Sequence, residues 1–196
     1  MKLKSIGYVL MAASAVFAAG CIVTSVQPFY TDKDLVFEPA LVGAWSKVQQ
    51  ADEHWKFEPE GTNAYRLTYS TEPGKSSLMR AHLFKLNGQL FFDLFAANVE
   101  SDVMPPPIPS HLLLRVFQTA PTARMAAMSY EWLAQILEKD PSVLRHHVIK
   151  TGDKAEDRRI VITASTQELQ QFILQHLDTK EAWQDDFELK RDAAGQ

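Results

Sequence analysis

The chain has 196 residues, 46% of them hydrophobic and 22% charged, with a mean hydropathy of −0.17. That is enough apolar content for one packed domain and too little for a polytopic membrane protein or a disordered chain. Ten Pro, eight Gly and a single Cys exclude a collagen-like repeat, a disulfide scaffold and a cysteine-built zinc module. Residues 1–20 carry Lys2 and Lys4 and no acid, so the remainder holds 18 basic against 24 acidic residues, a net charge of −6. Without a dense Lys/Arg run, that balance disfavours nucleic acid as a partner.

The amino terminus reads as a secretory leader: basic Lys2 and Lys4, an apolar run from Ile6 to Phe17, then Ala18, Ala19 and Gly20 directly before Cys21. The segment Phe17-Ala18-Ala19-Gly20-Cys21 resembles the lipobox of bacterial lipoproteins, with Ala18 where Leu is usual. The resemblance implies a diacylglycerol on the Cys21 sulfur, cleavage after Gly20, and anchoring by acyl chains such as palmitate. Each buried methylene contributes about 0.8 kcal/mol, so two or three chains hold a protein where one is marginal. Ile22 after the cysteine, by the same resemblance, implies the outer membrane of a Gram-negative cell. The competing readings are a retained anchor helix, since no charge occurs between Ser5 and Thr31, and an ordinary cleaved signal with a soluble product.

Residues 21–40 lack a helical or strand period and read as a lipidated tether, with Phe29, Tyr30, Val36 and Phe37 available to lie along the domain. From residue 41 to 196 a single α+β domain is expected: a mainly antiparallel meander or barrel-like sheet with at least two packed helices. Trp55 and Phe57, then Tyr65, Leu67 and Tyr69, alternate with polar residues as half-buried strands do. Asn87-Gly88 predicts a tight hairpin that places Leu86 opposite Gln89, Phe84 opposite Phe91, Leu83 opposite Phe92 and His82 opposite Asp93. Both faces of that hairpin are apolar, which predicts a central position.

The segment Met104-Pro105-Pro106-Pro107-Ile108-Pro109 reads as a stiff loop that could also serve as a polyproline ligand. Beyond it come a strand at His111–Phe117, a short strand or helix start at Arg124–Met128, and a helix from Met128 to Leu137 stopped by Asp140-Pro141. A strand at Arg159–Thr163 precedes a helix opened by a Ser165/Glu168 capping box, and a last short strand covers Phe187–Lys190.

Gly43-Ala44-Trp45 is similar to the Gly-x-Trp near the start of lipocalins, whose Trp closes one end of a barrel; that resemblance implies a small barrel able to hold an apolar ligand. His82 and Asp93 are the candidate catalytic residues, because a carboxylate opposite an imidazole raises its pKa and suits a general base; a merely structural pair is the competing reading, and Arg80 on the same face could take Asp93 instead. Phe84, Phe91 and Phe95 share that face and are the candidate ligand-binding residues. His146 and His147 diverge in any regular structure, and His176 sits in an apolar helical stripe, so neither predicts a metal site. No cofactor is implied. The functional expectation is a non-enzymatic, lipid-anchored envelope protein that binds a small apolar ligand or an envelope protein; the alternatives are a periplasmic hydrolase built on His82 and Asp93, and a structural component of an envelope assembly.

Overall fold

The computed structural model describes residues 23–72, 74–96, 110–150, 152, 158–184 and 186–193. Residues 1–20, expected to be a leader, together with Cys21 and the proline-rich segment lie outside the described residues.

A seven-stranded meander forms most of a barrel: β2 (Gly43–Lys47), β3 (His54–Glu60), β4 (Ala64–Glu72), β5 (Lys75–Leu86), β6 (Gln89–Phe95), β7 (His111–Gln118) and β8 (Thr122–Ala127). The last strand, β11 (Asp186–Arg191), pairs antiparallel with both β8 and β2 and closes the ring. The result is a closed eight-stranded antiparallel barrel, the more specific of the two sheet forms that the patterning allows. Two α-helices accompany it, α1 (Tyr130–Lys139) and α2 (Thr166–Gln175).

Between β8 and β11 the chain leaves the barrel to make α1, the hairpin β9 (His146–Lys150) and β10 (Arg158–Ile162), and α2. A two-residue strand, β1 (Thr24–Ser25), joins this hairpin to the barrel. It runs parallel to β10 on one side and antiparallel to the start of β7 on the other.

Strand periodicity sorts the apolar residues into two cores. The first fills the barrel: Trp45, Trp55, Phe57, Tyr65, Leu67, Leu83, Phe92 and Met125 are all essentially sealed from solvent. The second lies outside the wall, where Phe84, Phe91, Leu113 and Ala126 meet Leu133 and Leu137 of α1 and Leu169, Phe172 and Ile173 of α2. The β5–β6 hairpin therefore serves both cores, and its register follows the Asn87-Gly88 turn: Phe84 faces Phe91, Leu83 faces Phe92, and His82 faces Asp93. Asn87 and Gly88 both take positive φ, 46° and 80°, as a type I′ turn requires.

Both helices start where side-chain caps dictate. Ser129 accepts from the Trp132 amide, and Ser165 and Glu168 form a reciprocal box. Glu168 also receives Arg145, and these contacts hold its carboxyl down at about 2.

Residues 23–41 are not a free tether. Val23 and Phe29 are buried in the outer core, and Leu41 in the barrel. The chain is fastened along its length: the Val26 amide donates to Ile162 O (3.0 Å), the Val36 amide to Leu83 O (2.9 Å), Thr166 Oγ1 to Pro28 O (2.8 Å) and Gln170 Nε2 to Phe29 O (3.1 Å). Phe29 and Tyr30 pack between helices and barrel while Phe37 stacks on Tyr65 of the barrel core at 4.8 Å, so the segment forms a strap.

Candidate functional site

His82 and Asp93 stand opposite each other in the β5–β6 ladder, yet they do not bond to one another. Asp93 is completely buried, and both its oxygens are engaged elsewhere. Oδ2 accepts the Phe29 amide at 2.9 Å, and Oδ1 accepts His111 Nδ1 at 2.7 Å. A buried carboxylate must be saturated with donors, and here the strap's backbone amide and the His111 ring supply them.

His82 is hydrogen-bonded through Nδ1 to the Tyr30 hydroxyl at 3.2 Å, with the two rings 4.7 Å apart. Arg80 turns away from Asp93 and holds Glu60 through Nε and Nη2, at 3.1 and 2.6 Å. The expected His82–Asp93 dyad is thus replaced by an Asp93–His111 pair and a Tyr30–His82 pair on one patch of outer wall.

The expected rise in the His82 pKa is also reversed. Burial pushes it down, outweighing the upward pull of Asp93, while Arg80 and His111 add to the lowering. Burial likewise lowers His176, half-buried at the end of α2 between Trp132 and Phe172 at ring distances of 4.8 and 4.6 Å. A folded pKa below the unfolded value of about 6.5 means the fold favours neutral imidazole. Its contribution is complete above about pH 6.5 and is lost as the pH falls from there towards the folded value. Urea unfolding at pH 7.5 and 5.5 is expected to show lower stability at the lower pH, and His82→Gln, which keeps an acceptor for Tyr30, to flatten that dependence in part, His176 carrying the rest.

The three phenylalanines expected to line a ligand site are packed against other rings of the outer wall. Phe84 and Phe91 are fully buried and stack on each other at 5.5 Å beneath the helices, with Phe91 also 6.0 Å from Trp183. Phe95, half-buried, stacks on His111 at 4.7 Å. All three point outward from the barrel because strand alternation puts Phe92 and Leu94 inside.

The barrel axis is itself occupied. Phe57 stacks on Phe92 at 5.4 Å, Tyr65 meets Phe92 edge-on at 5.8 Å, and Trp55 packs against Phe187 at 5.6 Å and Tyr69 at 5.2 Å. Tyr65 also reaches the strap: its hydroxyl accepts the Glu38 amide (2.7 Å) and donates to Glu38 O (3.1 Å), and burial pushes its pKa up to about 12.

One end of the barrel is shut by Trp45, whose indole N–H donates to Leu41 O at 2.9 Å. Arg191 of β11 lies over the indole, 4.4 Å from its centroid, and donates to Val42 O (2.7 Å) and Ala40 O. Gly43, at φ +134°, is required here, because a Cβ would collide with that guanidinium. The Gly-x-Trp motif therefore belongs to a plug, and Arg191, which the sequence does not single out, is its brace.

At the opposite end Lys47 and Glu53 form a buried ion pair at 3.1 Å, and Glu53 also accepts the Trp55 indole N–H at 3.0 Å. Lys47 Nζ sits 5.3 Å from the Phe187 ring centroid. Beside it, burial and the Glu53 charge raise the Tyr69 pKa. Ser70, Thr71, Ser76 and Ser77 line an open hollow of about 310 Å³ with Tyr69 and Lys75; its polar lining does not suit an apolar molecule. Among the described residues no group of three or more His, Cys, Asp or Glu could hold a metal ion.

These features define a small closed antiparallel barrel with a filled axis, a helical outer layer and an amino-terminal strap. Comparison with protein families, with curated proteins and with solved structures gives no match to the chain.

Proposed function

We propose that the protein is a non-enzymatic, lipid-anchored lipoprotein of the bacterial envelope, facing the periplasm from the outer membrane, and that it works by presenting its surface to an envelope protein partner. The filled barrel axis is the observation that favours a protein partner over a small apolar ligand: the rings of Trp55, Phe57, Tyr65 and Phe92 occupy the volume a lipocalin-like barrel would give to its ligand. The lipobox-like segment at Cys21 supports the anchor.

Intact mass spectrometry of full-length protein extracted from membranes of a host that processes lipoproteins is expected to show an acyl adduct on Cys21. Organic extraction of the same material is expected to release no stoichiometric apolar molecule apart from co-purifying bulk lipid. An unmodified Cys21 removes the anchor, and a one-to-one extractable ligand removes the filled-barrel argument.

The rival reading, a hydrolase, has one specific observation in its favour: His111 is held by buried Asp93 at 2.7 Å while its side chain keeps 14% exposure. In that reading His111 replaces His82 as the imidazole. It requires His111→Gln to abolish turnover of a generic ester with the melting temperature unchanged; a shared loss of stability instead marks the pair as structural.

A further inference from the structure

We propose that the β9–β10 hairpin is the membrane-facing surface of the protein, laid against the phospholipid interface by the lipid on Cys21; the proposal rests on the lipid-anchor reading above.

The argument begins with reach. Cys21 precedes Val23 by two residues, and two residues span at most about 7 Å of extended chain. Val23 is 4% exposed, and the residues after it are fixed: Thr24 pairs with Val161 and Leu112, Thr24 Oγ1 donates to Ile160 O at 3.4 Å, and Val26 donates to Ile162 O. An acylated Cys21 therefore cannot hold the domain away from the bilayer on a flexible stalk. The surface around β1 must itself meet the lipid.

That surface has suitable chemistry. β1 is bordered by β10 and then by β9, the outermost strand of the sheet, about 10 Å away at ordinary strand spacing. On β9 two large apolar side chains stand exposed, Val148 at 39% on one face of the strand and Ile149 at 42% on the other, so the free edge of the sheet carries an apolar side chain on each side. They are flanked by exposed His147 and Lys150 and by exposed Arg158 and Arg159 on β10. The two strands β9 and β10 carry Lys150, Arg158 and Arg159 and no acid, in a chain that carries −6 once residues 1–20 are removed. A local excess of cations around exposed Val and Ile matches an interface with anionic headgroups outside and acyl chains beneath. It also gives an edge strand a cover, where an uncovered one invites pairing with another chain.

The test places a fluorescent thiol probe at Ile149→Cys or, as a control, at Lys56→Cys. Lys56 is on the outer face of β3, four strands around the barrel from β7. Full-length protein from a lipoprotein-processing host is reconstituted in vesicles containing phosphatidylglycerol and nitroxide-labelled lipid. The probe at 149 is expected to be quenched at least threefold more than the probe at 56, and Lys150→Glu with Arg158→Glu to reduce that difference. Equal quenching overturns the proposal. The wild-type chain separates this outcome from failure of the anchor: Cys21 is its only cysteine, so a chain that takes the maleimide has no acyl group, and the anchor reading fails with the proposal.

Discussion

Glu53→Ala is expected to destabilise the protein by about 4 kcal/mol, the cost typical of removing one member of a buried ion pair. Glu53 is 4% exposed and Lys47 5%, so solvent cannot replace the lost carboxylate at the ammonium. The Trp55 indole N–H loses its acceptor in the same stroke, and Trp55 is part of the aromatic stack along the barrel axis. For a domain of this size each kcal/mol moves the melting temperature by about 2–4 °C, giving an expected drop of about 8–16 °C by calorimetry. Replacing the pair together, Lys47→Met with Glu53→Leu, should recover the part of the loss due to the stranded ammonium, leaving only the cost of the Trp55 indole N–H without its acceptor. If the single variant melts within 2 °C of wild type, the pair is not buried as described.

The second large effect is expected at Asp93. Asp93→Ala strands the Phe29 amide and takes the partner from His111, and a buried donor without an acceptor costs about 1–3 kcal/mol, more where the lost acceptor was charged. A loss of about 3 kcal/mol is the expected sum, whereas Asp93→Asn, whose carbonyl can still accept one of the two donors, should lose about half as much. The location of the damage is as informative as its size. Amide exchange at Phe29 and proteolysis within residues 24–36 should both accelerate in Asp93→Ala ahead of exchange in β3 and β4, because the carboxylate ties the strap to the wall and leaves the far side of the barrel untouched. Uniform acceleration throughout the chain would show instead that strap and barrel melt as one unit.

The parts of this fold that were legible in the sequence are those set by neighbours in the chain. Asn87-Gly88 fixes the β5–β6 register because a two-residue turn leaves no slack, and the Ser165/Glu168 box sets where α2 begins. Alternation at Trp55–Phe57 and Tyr65–Tyr69 marks the inner face of β3 and β4 because the opposite face meets water. Where a contact joins distant residues, the pattern is silent. The strap has no periodicity, since its attachment is made one backbone group at a time, as with Phe29 to Asp93 across 64 positions. The His82–Asp93 register is correct, but register does not say which donor wins a buried carboxylate, and His111 reaches Asp93 only through the β6–β7 pairing, which lies beyond the proline-rich segment. Phe84 and Phe91 are apolar for the sake of the helices, not of a ligand. β9 goes unmarked because its Val148 and Ile149 are exposed, and Arg191 because a cation near the chain end has no local reason to lie on Trp45.

The placement of β11 bears on how the molecule matures. Seven barrel strands are joined in succession, but the eighth follows an excursion of nearly sixty residues through both helices, so a chain emerging amino end first exposes the unpaired margins of β2 and β8 until its final segment arrives. Ring closure is thus among the last events of assembly, and it brings Arg191 onto the Trp45 plug at the same moment. A chain clipped before Asp186 would keep two sticky borders and an unlatched lid, which makes it a natural substrate for chaperones and proteases.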